Sequence, residues 1–244
     1  DYNSVDISER TLRDVYLPPF KAAFDAGAGS VMSAFNELSG IPATMNAFML
    51  RHMLREEWHW DGVVLSDFNA IQELIDHGVA ADLKDAARLS ILGGLDMDMM
   101  SDAYALHLQE LVEEGSVPLN IVDEAVRRVL HLKLSLGLFE RPYADAALAE
   151  RMTLRQDLSD LALEVAQESM VLLKNQDDIL PLTPGTQRIA LIGPLADNQA
   201  DLLGAWAISG RPEDVETVRA AFNLYLHSHP AQYVEGCPIL NAEP

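Results

Sequence analysis

One aspartate at the end of a buried segment is the residue best placed to do chemistry. Asp67 directly follows residues 62–66 (GVVLS), a run typical of a strand that is covered on both faces. In parallel α/β folds, functional side chains collect at the carboxyl ends of the strands. A carboxylate there could act as a nucleophile or stabilise positive charge. Position alone leaves a second interpretation open, in which Asp67 caps a helix predicted to begin near Ala70.

Three further side chains with possible roles lie near predicted strand ends. Asp96 and Asp98 lie two residues apart in the apolar segment 95–99, so both could point to one face of a strand. We interpret Asp96 as a residue that either supports the site without touching the substrate or serves the structure, and we expect neither carboxylate to be catalytic. Phe68, which follows Asp67, is open to two interpretations: the wall of a pocket, or ordinary packing in the core.

The remaining polar clusters predict neither a metal nor a cofactor. His227 and His229 precede Cys237, but their spacing matches no standard zinc pattern. No predicted strand is followed by a glycine-rich loop with a phosphate-binding lysine, and the nucleophile elbow of serine hydrolases does not occur.

The elements that must position Asp67 alternate along the chain. Residues 30–35, 62–66 and 95–99 are predicted to be strands, and residues 70–77 and 83–92 are predicted to be helices that end at glycines. Apolar strands separated by helices imply a parallel sheet that is covered by helices. The predicted fold class is therefore α/β. The residues alone do not choose between a barrel and a doubly wound sheet.

The order of elements also predicts two domains. Residues 1–140 hold the strand–helix units and two long helices, and residues 141–153 have the composition of a linker. A helix and a new apolar strand follow, so residues 154–244 are predicted to begin a second α/β domain. This second part is shorter than such a domain usually is.

The net charge of the chain indicates which classes of partner it does not bind. The chain has 17 basic and 38 acidic residues and a formal net charge of −21. A surface this negative repels nucleic acid and anionic lipid, so neither is predicted as a partner. No apolar run is long enough to span a bilayer. A neutral ligand such as a sugar is compatible with the charge.

Several motifs, in order along the chain, resemble those of glycoside hydrolase family 3. Residues 54–68 (LREEWHWDGVVLSDF) are similar to the family signature L-R-x-E-W-G-F-x-G-x-V-x-S-D-W, with Asp67 at the position of its aspartate. The other matching segments are 32–46, 94–99, 137–139, 169–175, 180–182 and 189–197. Together they cover most of the chain, and the likeness is strongest to the two-domain bacterial β-glucosidases of periplasmic type.

The resemblance implies a fold and a mechanism. It implies the C-terminal portion of a (β/α)₈ barrel, followed by the truncated start of an α/β sandwich domain. It further implies a retaining β-glucosidase, acting on terminal non-reducing β-D-glucosyl residues, in which Asp67 forms a covalent glycosyl-enzyme. The acid/base glutamate is expected beyond Pro244, since Glu235 lies too early in the second domain. The chain is thus expected to be an incomplete one that is inactive by itself.

The resemblance also implies the substrate-binding residues Met32, Phe35 and Phe68. Phe35 replaces a tyrosine that is common in the family, so a hydroxyl that could hydrogen-bond Asp67 is absent. The expected substrate is a small oligosaccharide or an aryl or alkyl β-glucoside, and the expected location is periplasmic or secreted.

Two alternatives stay open. A β-xylosidase of the same family would share these motifs, whereas the single-domain β-N-acetylglucosaminidases fit less well because a second domain begins here. A chain of only these 244 residues would instead be a catalytically inactive fragment or interaction module. The sequence leaves the oligomeric state open, a homo-oligomer included.

Overall fold

The computed structural model describes residues 3–183, 188–226 and 230–237, which form two compact units, Asp1–Arg151 and Met152–Pro244. The strands of the first unit are β1 (Ser4–Val5), β2 (Ser30–Met32), β3 (Glu37–Leu38), β4 (Ile41–Pro42) and β5 (Val63–Leu65). Its α-helices are α1 (Glu9–Thr11), α2 (Leu17–Asp25), α3 (Glu73–Asp76), α4 (Leu83–Gly93), α5 (Ala103–Glu113) and α6 (Leu119–Ser135), and α7 (Ala146–Met152) ends at the boundary. Leu12–Tyr16 and Phe48–Glu57 are π-helical, and Ala43–Met45 is a 3₁₀ turn.

The parallel strands of the first unit form the frame of the candidate site. Strands β2 and β5 are parallel, with Met32 opposite Leu65 at their carboxyl ends. A parallel bridge then joins Leu65 to Met97 on the next segment of the chain. The predicted parallel arrangement is confirmed for β2 and β5. The third predicted strand, 95–99, is reduced to this single bridge.

A small sheet that was not predicted follows β2. Strand β1 pairs in parallel with β3, and β3 forms a hairpin with β4. The two residues of the turn, Ser39 and Gly40, have φ angles of 52° and 79°. A two-residue hairpin with positive φ at both turn positions matches the right-handed twist of its strands.

The core of the first unit lies between β5 and the helices that follow it. Helix α4 begins after Asp82, whose carboxylate accepts a 2.9 Å hydrogen bond from the amide of Asp85, and it ends before Gly94, which has a φ of 107°. Its inner face belongs to a cluster of apolar side chains, contributed by β5, α3, α4, α5 and the segments between them, that are almost completely removed from solvent. These side chains are Val64, Ile71, Leu74, Ile91, Leu95 and Leu111. Burial of this cluster fixes β5, and so the residues at its end, against the helical layer.

The second unit repeats the strand–helix–strand pattern on a smaller scale. It contains α8 (Gln156–Glu168), β6 (Ala190–Ile192), α9 (Gln199–Leu202), α10 (Val218–Leu226) and β7 (Gln232–Val234), with 3₁₀ turns at Gln176–Asp178, Pro194–Asp197 and Pro212–Asp214. Strands β6 and β7 are parallel. Together the two units confirm the predicted α/β class. Among the described residues, no helix has both the length and the apolar character needed to cross a bilayer.

Candidate active site

The carboxyl ends of the parallel strands meet at one edge of the first unit. Ser33 follows β2, and its amide donates a 2.9 Å hydrogen bond to the carbonyl of Leu65 at the end of β5. On the other side, the amide of Ser66 donates a 2.9 Å hydrogen bond to the carbonyl of Met97. The segment that carries Asp67 is therefore held between its two neighbours at this edge.

The carboxylate of Asp67 is half-buried and does not cap the following helix. One of its oxygens, Oδ1, accepts a 2.7 Å hydrogen bond from the adjacent amide of Phe68. Helix α3 begins only at Glu73, and its N-cap residue is Gln72, with no side-chain capping bond. The capping interpretation is therefore wrong for this helix. The Asp67 side chain lies at the strand edge, directly after β5.

Hydrogen bonds join the turn around Asp67 to residues 97–99, the third of the neighbouring parallel segments. The hydroxyl of Ser66, which is completely buried, accepts a 2.8 Å hydrogen bond from the amide of Met99. The amide of Asn69, whose φ is 62°, donates a 2.9 Å hydrogen bond to the carbonyl of the same residue. Asp67 lies between these two attachments. Sequence reasoning missed Ser66, although a hydroxyl next to a strand-end carboxylate was a signal that could have found it.

The predicted substrate-binding residues lie near this edge with different exposures. Met32 ends β2 and is 49% exposed, and Phe68 is 57% exposed. Phe68 therefore does not pack into the core of this unit. Phe35 follows β2 by three residues and is half-buried. The structure brings Met32, Asp67 and Phe68 to the ends of two paired strands, since Met32 is opposite Leu65.

Asp96 has a structural role, as predicted. Its side chain is 2% exposed and accepts hydrogen bonds from Arg55, at 2.8 Å, and from Arg128, at 2.9 Å. Oδ2 also accepts a 2.8 Å bond from the amide of Val64 in β5. Burial raises the pKa of Asp96, although the two guanidinium groups oppose this effect. These contacts join β5 to the next segment and to α6.

Asp98 also serves the structure, by holding the start of α5. Its Oδ1 accepts a 2.7 Å hydrogen bond from the hydroxyl of Ser101, and its Oδ2 accepts a long one, 3.4 Å, from the amide of Tyr104. Asp96 and Asp98 are thus engaged with different partners.

The described part of the chain holds no group of three or more histidine, cysteine or acidic side chains arranged for a metal ion. Cys237 is exposed and is not in a disulfide. His227 and His229 lie outside the described residues.

Parallel strands covered by helices, with a carboxylate at their carboxyl edge, define the class of α/β proteins that carry their functional site at strand ends. Comparison with known proteins gives the family: the chain belongs to glycosyl hydrolase family 3. The family's N-terminal domain matches residues 1–132, and its C-terminal domain matches residues 170–235.

Individual relatives agree with this assignment. The chain is 41% identical to a periplasmic β-glucosidase of Salmonella typhimurium over 99% of its own length and 32% of the relative. It is 32% identical to a β-xylosidase of Formosa agariphila over 96% of its length and 34% of that protein. A solved β-glucosidase from Listeria innocua in complex with glucose superimposes with a TM-score of 0.85 at 41% identity, over 96% of this chain and 32% of the other. The chain thus spans about a third of the length of these relatives.

Proposed function

We propose that the full-length protein is a retaining β-glucosidase that removes terminal, non-reducing β-D-glucosyl residues, with Asp67 as its nucleophile. The observation that carries the proposal is the position of the Asp67 carboxylate. It stands at the carboxyl end of β5, half-buried, within a turn held on both sides, and it is not used as the cap of α3. Membership of the family and the identity to a β-glucosidase support the class of substrate.

In the proposed reaction, an oxygen of Asp67 bonds to the anomeric carbon as the glycosidic bond breaks, and a general acid protonates the departing oxygen. Water then attacks the same carbon, and the ester bond to Asp67 breaks. The group that acted as general acid in the first step now acts as general base and takes the proton from water. The family resemblance assigns this acid/base role to a glutamate of the second domain. Retaining chemistry needs the two carboxyl groups about 5–5.5 Å apart. The amide of Phe68 donates a hydrogen bond to Oδ1 of Asp67 and so orients the attacking carboxylate.

Met32, Phe35 and Phe68 would form the walls around the glucosyl unit, since apolar and aromatic surfaces beside a few polar groups are usual in small-molecule sites. The proposed substrate is a small oligosaccharide or an aryl or alkyl β-glucoside. No cofactor is needed, because hydrolysis by two carboxyl groups is complete in itself.

The proposal includes the architecture of the family. Residues 1–140 would supply the C-terminal part of a (β/α)₈ barrel, residues 141–153 a connection, and residues 154–244 the beginning of an α/β sandwich domain. The three neighbouring parallel segments of the first unit and the parallel pair of the second are compatible with this arrangement. A periplasmic or secreted location is proposed from the same likeness.

A second candidate function, β-xylosidase, is favoured by one observation. A β-xylosidase matches 96% of the chain at 32% identity. Glucose and xylose differ by the hydroxymethyl group at C5, so the walls of the pocket decide between them. The mechanism and the role of Asp67 would be the same.

The experiment that tests the function is covalent labelling of the full-length protein. 2-Deoxy-2-fluoro-β-D-glucosyl fluoride loses fluoride without acid assistance, so a bond to the nucleophile accumulates. We expect one adduct by intact mass, mapped to Asp67 by peptide analysis, and none in Asp67→Asn. The matched control is Asp98→Asn, which should still be labelled because that carboxylate holds the start of α5. Preferential labelling by the xylosyl analogue would favour the β-xylosidase, and no labelling by either sugar would reject the proposal.

A further inference from the structure

We infer that Ser66 is a positioning residue for the nucleophile, acting through its hydroxyl on the turn that carries Asp67. The inference rests on the proposed function, because it assumes that Asp67 attacks the sugar. Its basis is the attachment of this turn to the segment 97–99, which is built from three hydrogen bonds. The amide and hydroxyl of Ser66 bond to Met97 and Met99 at 2.9 and 2.8 Å, and the amide of Asn69 bonds to Met99 at 2.9 Å.

The hydroxyl of Ser66 is the one side-chain member of this set. The other two bonds join main-chain groups, and so they do not depend on residue type. Strand pairing proper ends at the bridge between Leu65 and Met97. Beyond it, the Ser66 hydroxyl takes the place of a main-chain acceptor for the amide of Met99. Without the hydroxyl, this amide would lose its partner next to a residue that is fully buried.

The position of Asp67 makes it sensitive to this contact. Asp67 is the next residue along the chain, and its carboxylate is oriented by the amide of Phe68, within the same turn. A shift of the turn therefore moves the attacking oxygen relative to the anomeric carbon. A displacement of about 1 Å in a reacting group can cost a factor of about 100 in rate. Binding of the sugar relies on other side chains and should change little.

Two serines of this unit make a matched comparison possible. Ser90, in α4, is also completely buried, but its hydroxyl has no hydrogen-bond partner among the described residues. Ser66→Ala and Ser90→Ala remove the same atom from equally buried sites. Only the first removes a contact to the turn of Asp67.

The test measures labelling kinetics of the full-length protein with 2-deoxy-2-fluoro-β-D-glucosyl fluoride. In this step the Asp67 carboxylate oxygen bonds to C1 as the C1–F bond breaks and fluoride leaves. We expect Ser66→Ala to lower the maximal labelling rate constant between about 10-fold and 100-fold while the dissociation constant of the reagent stays within about twofold. Ser90→Ala should match the parent in both quantities. Ser66→Thr, which keeps the hydroxyl, should recover most of the rate.

Each outcome has a defined meaning. An unchanged labelling rate in Ser66→Ala overturns the inference, as does an equal loss in Ser66→Ala and Ser90→Ala, since removal of any buried hydroxyl would then have the same effect. A parent that is not labelled at Asp67 rejects the proposed function itself, whereas a labelled parent with an unaffected variant rejects the inference alone. If Ser66→Ala does not fold, Ser66→Cys replaces it, because a thiol is a weak acceptor.

Discussion

Arg55 and Asp96 form an ion pair in the interior of the first unit, with Nη2 of the arginine 2.8 Å from Oδ2 of the aspartate. Their side chains are 13% and 2% exposed. Arg55 also donates 2.7 Å hydrogen bonds to the carbonyls of Trp60 and Gly62, in the segment that leads into β5. Because Asp96 bonds to the amide of Val64 as well, the pair fixes the entry and the middle of the strand that ends at Asp67.

Removing the Asp96 carboxylate should strongly destabilise the first unit. Asp96→Ala leaves Arg55 and Arg128 buried without their common partner, and we expect a loss of about 3–5 kcal/mol in the free energy of unfolding. Urea unfolding can be followed by the fluorescence of Trp58 and Trp60, whose rings contact Phe24 in this unit.

Asp61 provides the matched control for this prediction. It also bonds to Arg128, at 2.8 Å, but its side chain is 81% exposed. Asp61→Ala should therefore cost only about 0–1 kcal/mol. An equal loss of unfolding free energy in Asp96→Ala and Asp61→Ala would show that burial does not decide how much these ion pairs stabilise the unit.

Glu37 should make stability depend on pH. Its carboxylate accepts hydrogen bonds from the hydroxyl of Ser4, at 2.7 Å, and from Nδ1 of His77, at 2.8 Å. These contacts, that of Ser4 first, hold the pKa of Glu37 below its ordinary value of 4.5. A lowered pKa in the folded state means that ionised Glu37 stabilises the fold above the ordinary value, and that this contribution is lost as the pH falls through the lower, folded-state value.

The measurement is the difference in unfolding free energy between the parent and Glu37→Gln, from about pH 6 to about pH 3. We expect the parent to be more stable at the upper end and the difference to decrease toward the lower end. Ser4→Ala should raise the pKa of Glu37 and move the decline to higher pH. A difference that stays constant over this range would contradict the prediction.

The substitution Gly93→Ala should destabilise the first unit, although alanine has a higher helix propensity than glycine. A β-carbon there would lie 2.6 Å from the carbonyl oxygen of Met45, which is a main-chain atom and cannot rotate away. The gain in helix propensity is about 1 kcal/mol, whereas overpacking of a core costs about 1–3 kcal/mol, and we expect a net loss of up to about 2 kcal/mol.

The control variant Gly115→Ala measures the cost of backbone strain alone, without a steric clash. Gly115 has a φ of 79° and nothing within 4 Å of its added β-carbon, so only the dihedral cost of about 1 kcal/mol is expected. Thermal unfolding of both variants gives the comparison. A Gly93→Ala variant as stable as the parent would mean that the 3₁₀ turn at Met45 can move.

Much of the frame around Asp67 could be predicted from local pattern. The continuous apolar run before Asp67 predicts β5, and the Ser39-Gly40 pair between Leu38 and Ile41 is a local signal for the hairpin. The predicted helix 70–77 shrinks to Glu73–Asp76 because Asn69 adopts a φ of 62° and the chain first makes turns.

Contacts between distant residues could not be predicted in this way. The third strand is reduced to one bridge, and beyond it the amide of Met99 bonds to the side-chain hydroxyl of Ser66 instead of a main-chain carbonyl. Arg55 precedes Asp96 by 41 positions, so pattern alone identified Asp96 as structural without naming its partner. Partners of this kind depend on the tertiary fold, which brings α6 and the π-helical segment to the same strand.

Replacement of Asp67 should abolish turnover by the full-length protein and allow rescue by an added anion. We expect Asp67→Gly to lower kcat for an aryl β-glucoside by about a thousandfold or more, because no covalent intermediate can form. Azide can then enter the space of the carboxylate and attack C1 from that face, as the aryloxide leaves. The product would be the α-glucosyl azide, identified by NMR.

The control is Asp98→Gly, which removes a carboxylate that holds the start of α5. That variant should keep its β-glucose product and form no azide. A β-configured azide, or turnover within about tenfold of the parent, would show that Asp67 is not the nucleophile.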